Sequence, residues 1–351
     1  MSELDAFKGK LLTVYAHSLL LANMHIGDQK GLYTALKGKP LTASELARKV
    51  DCDERYIEEW LLNQTVNGII TRIGEDGPAS SGKFHLSEEK ALCLATPSGP
   101  HDLLGGIQSI IGCINQLDKV CDNFTSGGGI PWALQNPHVH TGCRRFFAPL
   151  YQYLLTPKIL PAIGKHDDLQ KGIRVADIGC GHGISTITMA KCYPKSRFFG
   201  FDYDPSSIAH ASKSNDCENA EFTTESAVNV ASEEKFDFIC VFDCFHDMND
   251  PEGAIAHFAE ILKDSGCVLL IEPLASETIK QNENVVGQIY SGFSPICCLQ
   301  CAKHESKGTA LGTLAAPSTI QNLFKAGGFS SCDIIPVPEA QVNRVFVAKK
   351  K

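Results

Sequence analysis

In VADIGCGHG (175–183), Gly179, Gly181 and Gly183 alternate behind Asp177. Glycines at such spacing let the chain turn sharply and bring bare backbone against a ligand where the next helix, ISTITMAKCY, begins. A dinucleotide loop of the G-x-G-x-x-G kind asks for a small residue at 184, where Ile184 stands. Asp177 would repel a pyrophosphate and attract a sulfonium or an ammonium. Asp202, at the end of RFFGFD (197–202), can accept both hydroxyls of a ribose. A nicotinamide dinucleotide would use the same acid, so Asp202 indicates a ribose without choosing the cofactor. Tyr203, next in line, can lay its ring beside a nucleobase. In CFHDMNDP (244–251), His246 is followed by Asp247, with Asp250 three residues further on. A neutral imidazole near pH 7 can deprotonate a hydroxyl, an amine or a thiol.

These residues need a scaffold, and the rhythm after residue 172 supplies one. Strands are expected at RVADIG (174–179), RFFGFD (197–202), AEFTTE (220–225), FDFICVF (236–242), CVLLIEP (267–273), SCDIIPV (331–337) and RVFVAKK (344–350), with helices between the first five. Nearly continuous apolar runs fit a parallel sheet covered on both faces. The loops after its first, second and fourth strands would then meet at the carboxyl ends, where ligands bind in such sheets.

The first part of the chain has a different rhythm. Residues 11–35 carry apolar side chains at helical spacing. Thr42 or Ser44 can cap a helix through Lys49, and 53–67 reads as a second amphipathic helix. IITRI and KFHLS flank a turn rich in Gly, Ser and Pro, completing a winged-helix pattern. The second helix offers Asp53, Glu54, Glu58 and Glu59 against Arg55, a face that phosphates would repel. A structural or dimerising role is expected of it. RRFFAPLYQYLLTPKILPAI (144–163) reads as an aromatic-rich helix ended by prolines. The expected domains are a winged-helix and dimerisation domain over 1–95, a helical connector over 96–168 and a ligand-binding domain over 169–351.

The ordered set D177-I-G179-C-G181-H-G183, Asp202 and FDFICVFDCFHD resembles the class I S-adenosylmethionine-dependent methyltransferases over roughly 170–350. With its N-terminal winged helix, the layout resembles the small-molecule O-methyltransferases, in which that domain supports dimerisation. The resemblance implies an α/β fold: a Rossmann-like seven-stranded sheet, its last strand antiparallel, behind a mostly helical winged-helix domain. It implies S-adenosylmethionine as cofactor, with Ser226 and Ala227 approaching adenine and Asp243 and Cys244 approaching the methionine portion. CFHDMND is similar to the HDWSDE segment of plant-type O-methyltransferases, which makes His246 the candidate general base; Met248 replaces the tryptophan. His182 is expected to shape the glycine loop. The acceptor pocket is expected from residues 144–163, 274–316 and parts of the N-terminal half, with Phe147, Tyr151, Tyr290 and Phe293 as lining. That apolar, aromatic set suits a small, largely neutral acceptor.

Composition narrows the partners. The 351 residues are 43% hydrophobic and 21% charged, with a net charge of −8. No basic cluster is long enough to track a phosphate backbone, so nucleic acid and anionic membranes are not expected. The expected partners are a small-molecule acceptor and a second copy of the chain. No apolar run reaches 18 residues, and the MSELDAFKGK start lacks a secretory pattern. Fifteen cysteines then point to reduced thiols and a cytoplasmic location. Cys298, Cys301 and His304 offer a C-x-x-C pair and a histidine, but no second such pair accompanies them. No metal is expected. The rival reading is a winged-helix regulator that senses S-adenosylmethionine without catalysis.

Overall fold

The computed structural model describes residues 1–350. They form two compact units: Met1–Gly112 with Pro137–Pro149, and Cys113–Asn136 with the chain from Leu150 onward. The stretch 96–168 is shared between them.

The first unit is built on capped helices. Thr42 Oγ1 accepts the Glu45 amide while the Glu45 carboxylate accepts the Thr42 amide, and this reciprocal cap starts helix Ala43–Val50. Asp53 caps Glu54–Val66 by accepting the amides of Arg55 and Tyr56. Strands β1 (Thr71–Ile73) and β2 (Lys83–His85) pair antiparallel as the wing. Leu46, Trp60, Leu61 and Phe84 lie in one buried cluster. Gly27 has no room for a side chain, since a Cβ there would stand 2.6 Å from the Trp60 ring. Arg55 is paired with Glu58 and Glu59 of its own helix, so its charge is already answered. Helix Glu3–Gln29 leaves Leu4, Phe7, Leu12, Tyr15 and Leu19 exposed.

The second unit holds a seven-stranded sheet: β3 (Arg174–Ile178), β4 (Arg197–Asp202), β5 (Ala220–Thr224), β6 (Phe236–Phe242), β7 (Leu262–Pro273), β8 (Ser331–Ile335) and β9 (Asn343–Lys349). Their order is β5-β4-β3-β6-β7-β9-β8. The first five run parallel, and β9 lies antiparallel between β7 and β8. The chain winds from β3 outward through β4 and β5, then returns to β6 on the other side of β3. Strand order therefore reverses at β3 and β6, and their carboxyl ends open the crevice where such sheets bind ligands. Phe236, Ile239, Val241, Phe258, Leu270, Phe324 and Phe346 form the core around it.

Two local expectations change. β7 begins at Leu262 rather than Cys267: Phe236 pairs with Leu262 and Phe238 with Cys267, so a bulge absorbs the polar KDSG between them. The segment expected as one helix over 144–163 is an α-helix over Pro137–Leu150, then a wider-turned stretch over Tyr151–Ile159. Pro149 and Pro157 lie inside these and supply no amide hydrogen, which removes bonds of the regular ladder. No helix among the described residues is long and apolar enough to cross a membrane.

Candidate active site at the carboxyl edge of the sheet

The glycine loop is fastened to the neighbouring strand. The amides of Gly179 and Cys180 both donate to the Phe201 carbonyl, at 2.7 and 3.0 Å. Gly179 has φ 72°, and a Cβ there would stand 2.4 Å from Cys244 Sγ. Glycine is thus required both for the turn and for the close approach of β3 to the end of β6. Gly181, also in the left-handed region, would point a Cβ into open space. Gly183 completes the turn into helix Ile184–Cys192. The His182 ring stacks on that of His210, 4.2 Å between centroids, consistent with a loop-shaping role.

Two aspartates bracket this loop. Asp177 is 1% exposed. Its Oδ2 accepts the hydroxyls of Ser185 and Thr186, each at 2.6 Å, while its Oδ1 has no hydrogen-bond partner. Burial pushes its pKa up to about 6; the two hydroxyls oppose that shift and the charge of Asp202 adds to it. Asp202, also buried, accepts the Gly181 amide at 2.9 Å and the Asp204 amide at 2.9 Å. It therefore ties the glycine loop to β4 besides standing where a ribose is expected. The Glu225 amide donates to the Asp202 carbonyl at 3.0 Å, which brings Ser226 and Ala227 to the same edge. Tyr203 is 47% exposed, with its phenol against the backbone of Trp132 and Ala133.

The end of β6 carries the second half of the site. Asp243 has φ 48°, an unusual conformation for a non-glycine residue, fixed where its amide donates to Ile271 at 2.7 Å. Its Oδ1 accepts Asn343 Nδ2 at 2.8 Å; its Oδ2 is buried without a hydrogen-bond partner. Burial, and then the Glu272 charge, drive its pKa far above the ordinary carboxylate range. The Cys244 thiol lies 3.3 Å from the Ile178 carbonyl. His246 is 4% exposed and clamped. Its Nδ1 stands 2.6 Å from Glu272 Oε2, and its Nε2 stands 3.2 Å from Asp247 Oδ1. Burial lowers its pKa, but the charges of Asp247 and Glu272 outweigh that and raise it to about 10.

Glu272 is the residue that sequence reasoning missed. It also accepts the amides of Phe245 and His246, at 3.1 and 3.2 Å, and so fixes the whole turn after β6. Its signal was present: an acid closing the apolar run CVLLIEP. A charge there is buried in the sheet edge and has to meet a partner.

Of the residues expected to line the acceptor pocket, Tyr151 reaches this edge. Its ring lies 5.7 Å from that of Phe242, and its phenol pKa is raised by burial and by the charges of Asp243 and Asp177. Tyr290 and Phe293 lie on helix Val285–Phe293, and the Tyr290 carbonyl accepts the Thr313 hydroxyl at 2.6 Å. Gly312 donates to the His246 carbonyl and Lys307 to Asn249, so the segment after that helix is fastened to the turn that holds His246. Phe147 belongs to the first unit, where it packs edge-on against Phe146.

Residues 145–330, more than half of the chain, match the family described as Methyltransferase domain, and the chain belongs to it. Residues 17–96 match the Rv2258c-like winged HTH domain. Two curated relatives are malonyl-(acyl-carrier protein) O-methyltransferases. That of Bacillus anthracis is 25% identical over 130 residues, 37% of this chain and 48% of the relative. That of Bacillus cereus is 28% identical over 109 residues, 31% of this chain and 40% of the relative. The chain thus spans under half the length of these proteins. Among solved structures, human N-acetylserotonin methyltransferase in complex with SAM superposes with a TM-score of 0.72 at 16% identity, covering 100% of this chain and 99% of that one. Mitomycin 7-O-methyltransferase gives 0.72 at 14% identity, covering 98% of each chain. At such identities the likeness establishes the fold.

Proposed function

We propose that this chain transfers the methyl group of S-adenosylmethionine to a small-molecule nucleophile, a thiol or hydroxyl ahead of an amine. The observation that carries this reading is a pair of buried carboxylate oxygens without hydrogen-bond partners, Asp177 Oδ1 and Asp243 Oδ2, at the ends of adjacent strands. A buried anion left so is costly, and a ligand with two cationic centres relieves it where a pyrophosphate would aggravate it. S-adenosylmethionine supplies an electrophilic methyl carbon on a sulfonium. Asp177 and Asp243, with Cys244, would face its methionine portion. Asp202 would take the ribose, and Tyr203, Ser226 and Ala227 would take the adenine. Gly179, Gly181 and Gly183 let the backbone come close. Two structural neighbours, human N-acetylserotonin methyltransferase in complex with SAM and mitomycin 7-O-methyltransferase, support the same assignment.

The expected base role of His246 needs a ring nitrogen open to the acceptor. Both of its nitrogens face carboxylates, Glu272 on one side and Asp247 on the other. We therefore assign His246 a positioning task. The acceptor is accordingly one that ionises without a strong base, which places a thiol before a hydroxyl. Tyr151, and with it Tyr290 and Phe293, would form its apolar wall.

Incubation with methyl-labelled donor and separate pools of thiols, phenols and amines tests this. Label is expected in the thiol or phenol pool. Donor binding by calorimetry with no label in any pool would instead support ligand sensing without catalysis. We also propose a homodimer through the first unit, because helix Glu3–Gln29 leaves Leu4, Phe7, Leu12, Tyr15 and Leu19 exposed along its length. Light scattering of the full chain should return twice the chain mass, and a monomer at all concentrations would refute the dimer.

A further inference from the structure

Three side chains at the mouth of the sheet are not used in binding the methyl donor: His246, Asp247 and Cys298. They come from two separate segments, the turn after β6 and the helical stretch Ser294–Cys298. One imidazole nitrogen, one carboxylate oxygen and one thiol sulfur from these residues all lie within 4.8 Å of one another. The set differs from the C-x-x-C arrangement in the sequence. Cys298 faces Asp247, whereas the Cys301 sulfur takes a hydrogen bond from Gln135 at 3.4 Å.

A simple ion pair does not account for this geometry. Asp247 Oδ1 is buried and stands 3.2 Å from His246 Nε2, yet it accepts no hydrogen bond. The two atoms face each other at that distance without a hydrogen bond between them, which is how neighbouring ligands sit around a shared ion. Two ligand atoms at about 2.0 Å from a tetrahedral ion are themselves about 3.3 Å apart. The opposite ring nitrogen supplies a second, independent sign. Nδ1 is held at 2.6 Å by Glu272, a 1% exposed carboxylate itself anchored by two backbone amides. A histidine that binds a metal through one nitrogen is commonly oriented in this way through the other.

We infer that His246, Asp247 and Cys298 form a three-ligand site for a zinc ion with its fourth position open. The donor set selects the ion. A thiolate beside an imidazole suits zinc, whereas magnesium and calcium prefer oxygen alone. Three protein ligands and one open position are the pattern of zinc sites that bind a reactant, and Cys298 is only half-buried, so the open side is reachable. Zinc would displace the Cys298 thiol proton and neutralise the carboxylate and thiolate it meets. The existence of the site does not depend on the methyl-transfer reading; its use, to hold an acceptor sulfur or oxygen at the open position, does.

The test uses the full chain, stripped with a chelator, dialysed against zinc and analysed for metal by mass spectrometry. One zinc per chain is expected. The cobalt-loaded protein should show a near-ultraviolet thiolate-to-metal band. Cys298→Ser should abolish that band and weaken zinc binding by more than the roughly 10- to 100-fold that loss of a ligand's own hydrogen-bond partner costs. Cys301→Ser should leave both unchanged. Since Cys298→Ser is nearly isosteric, circular dichroism on it separates loss of metal from loss of fold. The inference is overturned if the folded wild-type chain retains no stoichiometric zinc, or if folded Cys298→Ser binds zinc as tightly as wild type. Acceptor turnover enters neither readout, so failure of the methyl-transfer proposal would leave this result standing.

Discussion

Asp102 in the first unit and Asp177 in the second are each 1% exposed, yet they are treated in opposite ways. Asp102 has a full set of partners. Its Oδ2 accepts Arg145 Nε at 2.7 Å and the Ser98 amide at 3.1 Å, and its Oδ1 accepts Arg145 Nη2 at 3.0 Å and the Leu104 amide at 3.2 Å. Asp177 has two hydroxyls on one oxygen and nothing on the other. A scaffold answers every buried charge internally, whereas a binding site leaves one for its ligand. The same contrast holds within the second unit, where Asp243 keeps one oxygen for Asn343 and one without a partner.

The largest effect should come from breaking the satisfied side of the comparison. Arg145 also reaches Asp28 at 2.6 Å, so Arg145→Ala leaves the buried Asp102 and the part-buried Asp28 without their cation. A loss of about 3–5 kcal/mol of stability is expected, the scale of removing one partner from a buried pair. Denaturant unfolding measures it.

Asp177→Asn is the matching change on the other side. Asparagine keeps an oxygen for Ser185 and Thr186 and removes the uncompensated charge. The chain without ligand should be as stable as wild type or more so, while donor affinity falls by about 1.5–3 kcal/mol, the range of charged hydrogen bonds. Unfolding and calorimetry on the same variant give both numbers. A stability loss as large as that of Arg145→Ala would make Asp177 part of the scaffold and dissolve the comparison.

The binding side of this contrast was legible in the sequence; the pairing of Asp102 with Arg145 was not. Asp177, the three glycines and Asp202 stand in a local order set by strand, turn and helix, and such order survives in the linear chain. The seven strands were readable because both faces of the sheet are covered and the runs are apolar; the start of β7 was hidden where a bulge admits KDSG. What could not be read is what distant segments do to one another. Glu272 lies 26 residues from His246 in sequence and 2.6 Å from it in space. That pairing, and Asp247 beside the other nitrogen, is invisible in CFHDMND alone. Cys298 likewise looked like a partner for Cys301 and His304 until the fold turned it toward Asp247.

The effect most specific to Asp177 is its dependence on pH. Burial places its pKa at about 6, above the ordinary aspartate value of 3.8, so the fold holds the proton more tightly than the unfolded chain does. Stability of the ligand-free protein should therefore fall as pH rises from about 4 to 6, by no more than about 3 kcal/mol in total, and then level off. A cationic ligand reverses the preference, because it binds the ionised carboxylate and expels the proton. Donor affinity should rise as pH increases through 6, at most about tenfold per unit below it, and flatten above it. Calorimetry in buffers of different ionisation enthalpy should show close to one proton more released per donor bound by wild type than by Asp177→Asn at pH 5, and almost no difference between them at pH 8. In Asp177→Asn that dependence should vanish while any contribution from Asp243 persists, which separates the two carboxylates. If affinity instead falls as pH rises, the ligand at β3 is not a cation, and the partnerless oxygen of Asp177 needs another reason.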